Sequence, residues 1–351
     1  IRKPDGYSTE KATEEQSAYV ARYEQTTASS TAHEQARAQF EEVKPSVIVV
    51  MNETFADLKV LGDFMTSEDY MPFVHSLQNG EYGNAVTGEL GVSIVGGNTP
   101  NTEFEFLTGN TLAFLPEGSI PYQQYVRESI EAMPGYLAAN GYETLAMHPY
   151  LPGGWNRESV YPALGFDRSM FIKDFDADAP ILREYVSDMG CSEEIIKQYE
   201  RIKADGKKAF IFNVTMQNHS PYDKDYANLP IEVRLTGAKR GRETLTAERY
   251  LTLIKKSDEA FEYLVRYFES RKDPVVIVMF GDHQPSDSLV RPVWSLAGVD
   301  SRSLDERQVE RRYTVPYVIW TNYDITEEHD ADTSANLLGE RVLDMAHAGS
   351  Y

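Results

Sequence analysis

The strongest constraint on how this chain folds is a set of short, uninterrupted apolar runs, each stopping abruptly at a polar or ionisable residue. Ser46-Val47-Ile48-Val49-Val50-Met51 is followed by Asn52-Glu53, and Glu143 to Met147 by His148. Ala209 to Thr215 leads into Gln217-Asn218-His219, and Val275 to Phe280 into Gly281-Asp282-His283. A fifth run covers Tyr317 to Trp320. Apolar runs without polar alternation suit strands buried on both faces, and helix-like stretches such as Ser192 to Ala204 and Thr246 to Arg271 separate them. Strands alternating with helices imply an α/β fold: a largely parallel central sheet with helices on both faces, and a smaller C-terminal subregion. Ligands of such sheets gather just outside the carboxyl ends of the strands, where these ionisable residues stand.

The chain has 351 residues, 41% of them hydrophobic, which fits one large domain as easily as two. Residues 1 to 44 are polar, with helix formers spaced around Tyr19, Tyr23 and Phe40, and read as a helical linker. Composition changes at Lys44-Pro45, so the compact catalytic domain is expected over 45–351. The chain opens on Ile1, without a signal-peptide pattern or an apolar run of about 18 residues, and reads as a soluble piece of a longer protein. Pro and Gly cluster at 114–154 and 284–300, which suggests long functional loops. A net charge of -21 argues against a nucleic-acid binder, although a bound cation can reverse the field locally for an anionic substrate. The single cysteine, Cys191, excludes an intrachain disulfide and a thiolate cluster for zinc.

Asp282 and His283 offer an oxygen and an imidazole at one strand end, and Glu53 from another could complete a site for a divalent metal. The structural alternative is an Asp capping the next helix and a His packed beneath a loop. In Gly96-Gly97-Asn98-Thr99-Pro100-Asn101-Thr102-Glu103-Phe104, a glycine-permitted turn enters a helix with Pro100 early in its first turn and Thr99 at the cap. Thr99 is either an ordinary cap or a nucleophile favoured by the helix N-terminus and a metal, with Glu103 serving the helix dipole. The loop His148-Pro149-Tyr150-Leu151-Pro152-Gly153-Gly154-Trp155-Asn156-Arg157 adds an aromatic ring and a guanidinium fork suited to phosphate or sulfate oxygens. Its structural alternative is a Trp anchoring the loop, with Arg157 in a surface ion pair.

Taken in order, five motifs resemble the lipoteichoic acid synthase-like phosphoglycerol transferases of the alkaline phosphatase/sulfatase superfamily. They are Met-Asn-Glu-Thr-Phe at 51–55, Gly-Asn-Thr-Pro-Asn-Thr-Glu-Phe at 97–104, His148 with Trp-Asn-Arg at 155–157, Gln-Asn-His-Ser-Pro-Tyr at 217–222 and Gly-Asp-His-Gln-Pro at 281–285. The resemblance implies that Glu53, Thr99, Asp282 and His283 bind one divalent cation, typically Mn2+, with Mg2+ or Zn2+ as alternatives, and that Thr99 is the nucleophile. It implies that His148, Trp155, Arg157 and His219 surround the glycerophosphate group, with His219 handling the proton. Tyr150 stands where other members can carry a short polar or acidic residue, which bears on contacts to the glycerol hydroxyls. The implied reaction moves glycerophosphate from phosphatidylglycerol to a polyglycerolphosphate or glycan acceptor through a phosphothreonine-type intermediate. The implied place is the extracellular face of a bacterial membrane, with 1–44 leading toward an anchor. The rivals are a sulfatase or phosphodiesterase on the same fold and a non-catalytic binder of glycerophosphate polymers. A cysteine-type sulfatase fits poorly, because Cys191 is followed by Ser-Glu-Glu-Ile instead of the Cys-x-Pro-x-Arg pattern.

Overall fold

A computed structural model describes residues 8–23, 25 and 43–346. Helix α1 (Thr9–Tyr23) lies within the polar N-terminal stretch, and Phe40 falls outside the described residues. The strands are β1 (Ser46–Asn52), β2 (Ala85–Gly91), β3 (Tyr142–His148), β4 (Arg168–Phe171), β5 (Ile181–Leu182), β6 (Tyr185–Val186), β7 (Lys208–Val214), β8 (Val275–Gly281), β9 (Thr314–Thr321) and β10 (Thr333–Ser334). Eight of them form one sheet in the order β10-β2-β9-β8-β1-β7-β3-β4, and β5 and β6 pair as a separate hairpin. Within the large sheet only β9 runs against its neighbours, antiparallel to both β8 and β2. The other pairs are parallel, so the carboxyl ends of β1, β3, β7 and β8 share one edge.

The apolar runs are buried because both faces of the sheet are covered. Helices α2 (Pro72–Gln78), α3 (Pro100–Thr108), α4 (Arg157–Ala163), α5 (Asp188–Ala204), α6 (Arg242–Glu269), α7 (Asp287–Leu296) and α8 (Ala335–Met345) supply most of that cover. On one face Phe106 of α3 lies 5.9 Å from Phe212 and 4.9 Å from Phe280, ring centre to ring centre, and α8 packs behind α3. Their neighbours in β7 and β8, Asn213 after Phe212 and Met279 before Phe280, point the other way and line a small hollow with Ala260 and Phe261 of α6 and Ile195 of α5. Successive side chains of a strand alternate between faces, which is why each of these strands reads as unbroken apolar sequence. The Pro- and Gly-rich stretch 284–300 is not a continuous loop: α7 occupies most of it and carries Pro292 within its span.

Candidate active site

The site begins where β1 and β8 end side by side. A Cβ on Gly281 would sit 1.9 Å from the Phe55 carbonyl oxygen, so only glycine lets the end of β8 meet the chain leaving β1. That approach sets Asp282 against Glu53 and Thr54. The Thr54 N–H donates to Asp282 Oδ1 at 2.6 Å, and the Thr54 hydroxyl donates to Glu53 Oε1 at 2.7 Å. Thr54 holds φ at +50°, a left-handed conformation that a β-branched residue rarely adopts, and such strain concentrates at functional sites.

Glu53, Asp282 and His283 offer ligand atoms within 4.8 Å of one another, and all three are buried. The His283 Nδ1–H donates to the Gln284 carbonyl at 2.9 Å, which leaves Nε2 with a free lone pair, 3.3 Å from Asp282 Oδ2 and 3.9 Å from Glu53 Oε1. Neither His283 Nε2 nor Asp282 Oδ2 has a hydrogen-bond partner, although both are buried. Burial, and then the charge of Glu53, raises the Asp282 carboxyl above its ordinary range. Orphaned acceptors and crowded carboxylates are costly as they stand, and both costs vanish around a cation. The trio can therefore hold a divalent metal, and its two carboxylates and one imidazole suit a hard to borderline ion.

Thr99 occupies the cap position of α3 without acting as a cap. Its backbone is already helical (φ −35°, ψ −43°) and its side chain makes no capping hydrogen bond. The hydroxyl instead donates to Glu53 Oε2 at 3.2 Å, which sets it against the metal-fitting trio.

A second buried cluster backs this one. Arg157 does not present an open fork: its Nε donates to Glu103 Oε1 at 3.0 Å, and its Nη2 is in close contact with the same carboxylate. Both side chains are buried, so this ion pair is not on the surface, and the Tyr161 hydroxyl adds a 3.0 Å bond to Glu103 Oε2. Glu103 thus serves Arg157, which no spacing in the sequence indicates. Arg157 Nη1 donates to His148 Nε2 at 3.1 Å, and His148 Nδ1–H donates to the Val214 carbonyl at 3.0 Å. Burial, then the Arg157 charge, lowers His148 well below the usual histidine range, so it is a neutral ring with both nitrogens engaged. Trp155 takes φ +57° and packs partly on the core, so it both anchors the loop and faces the cavity.

His219 is exposed, and its Nδ1–H donates to the Ser220 carbonyl at 2.7 Å, which leaves Nε2 as the atom able to take or give a proton. The turn that carries it is held by Arg183, whose Nη2 donates to the His219 carbonyl at 2.7 Å and whose Nη1 donates to the Pro221 carbonyl at 2.9 Å. Arg183 sits between β5 and β6 with its guanidinium 5.4 Å from the ring centres of both Tyr185 and Tyr222. Sequence reasoning missed it, since nothing in Ile-Leu-Arg-Glu announces a role. It also missed Asp188, buried at the start of α5. Asp188 Oδ2 accepts from Asn52 Nδ2 at 2.7 Å and from the Ser257 hydroxyl at 2.5 Å, while its backbone N–H donates to Gln217 Oε1 at 3.0 Å. Asn218 Nδ2 closes the circuit on Asn52 Oδ1 at 3.0 Å. The residues before Glu53 and before His219 are therefore tied to one carboxylate, which burial pushes up to about 6.

Seven of the eight residues singled out in the sequence (Glu53, Thr99, His148, Trp155, Arg157, His219 and His283) line one cavity of about 190 Å3 at the carboxyl edge of the sheet, together with the half-exposed Tyr150. Asp282 lies behind its wall, fully buried. Cys191 is buried in α5 and takes no part in the cavity.

A sequence profile of the sulfatase family matches residues 45–348. The chain is 34% identical over 310 residues to a putative cyclic β-1,2-glucan modification protein of Rhizobium meliloti, an alignment that covers 86% of this chain and 46% of the relative. It is 24% identical over 263 residues to lipoteichoic acid synthase 1 of Bacillus subtilis, covering 73% of this chain and 38% of that protein. The chain thus spans less than half the length of these relatives. Its fold is similar to that of a Streptococcus pyogenes phosphoglycerol transferase solved with sn-glycerol-1-phosphate. The TM-score is 0.75 and the identity 20%, over 99% of this chain and 84% of that one.

Proposed function

The chain belongs to the sulfatase family, and we propose that within it this protein transfers a glycerophosphoryl group from phosphatidylglycerol to a hydroxyl of a glycan or a polyglycerolphosphate chain, with Thr99 as nucleophile. The observation that carries this reading is the Thr99 hydroxyl, which leaves its own helix uncapped and turns to Glu53 beside two orphaned ligand atoms. The named relatives support it from two sides, one pointing to glucans and the other to glycerophosphate polymers.

Glu53, Asp282 and His283, with Thr99, would hold the divalent cation, for which Mn2+ fits the mixed oxygen and nitrogen donors. When bound, that ion lowers the proton affinity of the Thr99 hydroxyl and offsets negative charge on the phosphate. Thr99 Oγ1 then attacks phosphorus while the bond to the diacylglycerol oxygen breaks, and His219 Nε2 delivers a proton to that oxygen. In the second step the acceptor oxygen attacks, the bond from phosphorus to Thr99 breaks, and His219 takes the acceptor proton. The Thr99 hydroxyl loses its proton to solvent once, before the first turnover, and is deprotonated at the start and end of each later cycle, so the net transfer per cycle is one proton from acceptor to diacylglycerol. Arg157, its charge balanced by Glu103 and its Nη1 held on His148, lines the cavity wall as a hydrogen-bonding surface for the phosphoryl oxygens, and Trp155 covers the apolar side of the glycerol. A lipid donor implies work at a membrane surface outside the cytoplasm. No helix among the described residues is long and apolar enough to cross a membrane.

The test is peptide mass mapping after a rapid quench with manganese and phosphatidylglycerol. A glycerophosphoryl adduct is expected on the peptide bearing Thr99, and an adduct on Thr102 or Ser93, or none with full turnover, would overturn the assignment.

A further inference from the structure

The cavity at Thr99 is not closed on all sides. Gly96 and Ser286, which form part of its wall, also line a neighbouring groove of about 580 Å3. The Gly96 N–H donates to the Gln284 carbonyl at 2.8 Å, and a Cβ on Gly96 would lie 3.3 Å from the Ser286 Cα. Gly96 also holds φ at +72°. The sill between cavity and groove is therefore at backbone height, and a side chain would both strain it and raise it. Beyond the sill the groove reaches Tyr313, 41% exposed, which it shares with a third hollow of about 490 Å3 running toward Glu117 and Ser119.

The charges along this path discriminate between acceptors. Among the described residues that line the two hollows, the single cation is Arg312, and it is buried. Its Nη2 donates to Asp287 Oδ1 at 2.8 Å and to the Pro285 carbonyl at 2.6 Å, its Nε donates to Asp287 at 3.2 Å, and its Nη1 is in close contact with Gln284. All three nitrogens are committed, so no cation is left to meet a second phosphate. The remaining charged lining residues, Asp287 and Glu117, are acidic, on a chain of net charge -21. A polyanionic acceptor laid along the groove would find Arg312 already neutralised by Asp287 and would meet the like charge of Glu117 in the third hollow. Serine hydroxyls, a carboxamide and an exposed tyrosine ring, apolar on its face and polar at its tip, suit the alternating faces of an uncharged sugar chain.

We propose that this groove is an acceptor subsite for an uncharged glycan, with Tyr313 as the residue that holds sugar units beyond the one whose hydroxyl takes the phosphoryl group. The proposal rests on the transfer reading above and chooses between its two acceptors. The second step keeps its balance: the sugar oxygen bonds to phosphorus, the bond from phosphorus to Thr99 breaks, and the sugar proton passes to His219.

The experiment uses the manganese-loaded protein with phosphatidylglycerol and three acceptors: β-1,2-linked glucan of two glucose units, the same of six or more units, and polyglycerolphosphate. Diacylglycerol release and product transfer are measured separately. The longer glucan is expected to be the best acceptor. Tyr313→Ala should raise its KM about tenfold, with a much smaller rise for the disaccharide, and Tyr313→Phe should restore most of the loss. Ser288→Arg, at an exposed position on the groove wall, gives an independent variant expected to show the same length-dependent loss. Polyglycerolphosphate outperforming glucan, or equal losses at both glucan lengths in both variants, overturns the subsite while leaving the transfer reading intact. Absence of any diacylglycerol release from the parent protein overturns both.

Discussion

Thr99→Ala separates the two meanings that a threonine at a helix start can have. A capping hydroxyl is worth about 0.5–2 kcal/mol, but Thr99 makes no capping bond, so the variant should melt within a degree or two of the parent while losing nearly all diacylglycerol release. Thermal melting and turnover on one preparation check this, and a large drop in melting temperature with turnover retained would contradict it. Thr99→Ser should keep some activity. Arg157 reads differently: its fork suggests phosphate in the sequence, yet the partner it holds is Glu103, 54 positions earlier. Removing one member of a buried ion pair typically costs about 3–5 kcal/mol, so Arg157→Met should unfold at much lower denaturant as well as lose activity. Arg157→Lys, which keeps charge without the fork, should fall between. The ligand types at strand ends were legible because buried strands seldom end in Glu, Asp and His by chance. Arg183 and Asp188 were not, because Arg183 acts on backbone carbonyls that any sequence possesses and the side-chain partners of Asp188, Asn52 and Ser257, lie 136 and 69 positions away.

Among the elements, the strands with continuous apolar sequence were legible to within one residue at each end, except β9, which starts three residues before the run read for it. β2 and β4 were not, since Ala-Val-Thr-Gly-Glu-Leu-Gly and Arg-Ser-Met-Phe lack a run long enough to stand out. The reversed direction of β9 was equally hidden, because an apolar run reads the same from either end. The segment that leaves β1 carries a clasp of its own: His75 Nδ1 lies 2.8 Å from Asp69 Oδ2 and its Nε2 3.2 Å from Asp57 Oδ2. Burial pulls His75 down, but hydrogen bonds and charge from Asp57 and Asp69 outweigh it and hold the imidazole above its ordinary 6.5. The clasp thus contributes fully below 6.5 and fades as pH climbs through the raised value. On the acid side, burial opposes ionisation of Asp57 and Asp69, yet His75 holds both below their ordinary 3.8, so their share is present above that pH and fades as pH falls through the lowered values. The difference in melting temperature between the parent and His75→Gln should therefore be greatest from about pH 4 to 6.5 and shrink on either side. A difference that does not vary with pH would contradict this origin.

For the molecule as a whole, metal and stability should be linked. A cation that binds only the folded chain stabilises it by about 2.7 kcal/mol at a hundredfold excess over Kd. Manganese should therefore raise the melting temperature of chelator-treated protein and restore its turnover, and Asp282→Asn should blunt both responses. Turnover undiminished after thorough stripping would contradict the metal assignment. One topological feature has a mechanical corollary. β1 delivers Glu53 to the cavity immediately after its last residue, so the polypeptide joins the sheet at Ser46 on the opposite edge, one strand length or about 20 Å away. A bead, vesicle or fusion partner attached directly at Pro45 therefore grips the molecule from behind, like a handle set opposite a blade. Immobilised that way, the protein presents its mouth outward, free to meet substrates arriving from solution; to work on the very surface that holds it, the tether must be long enough for the body to turn over.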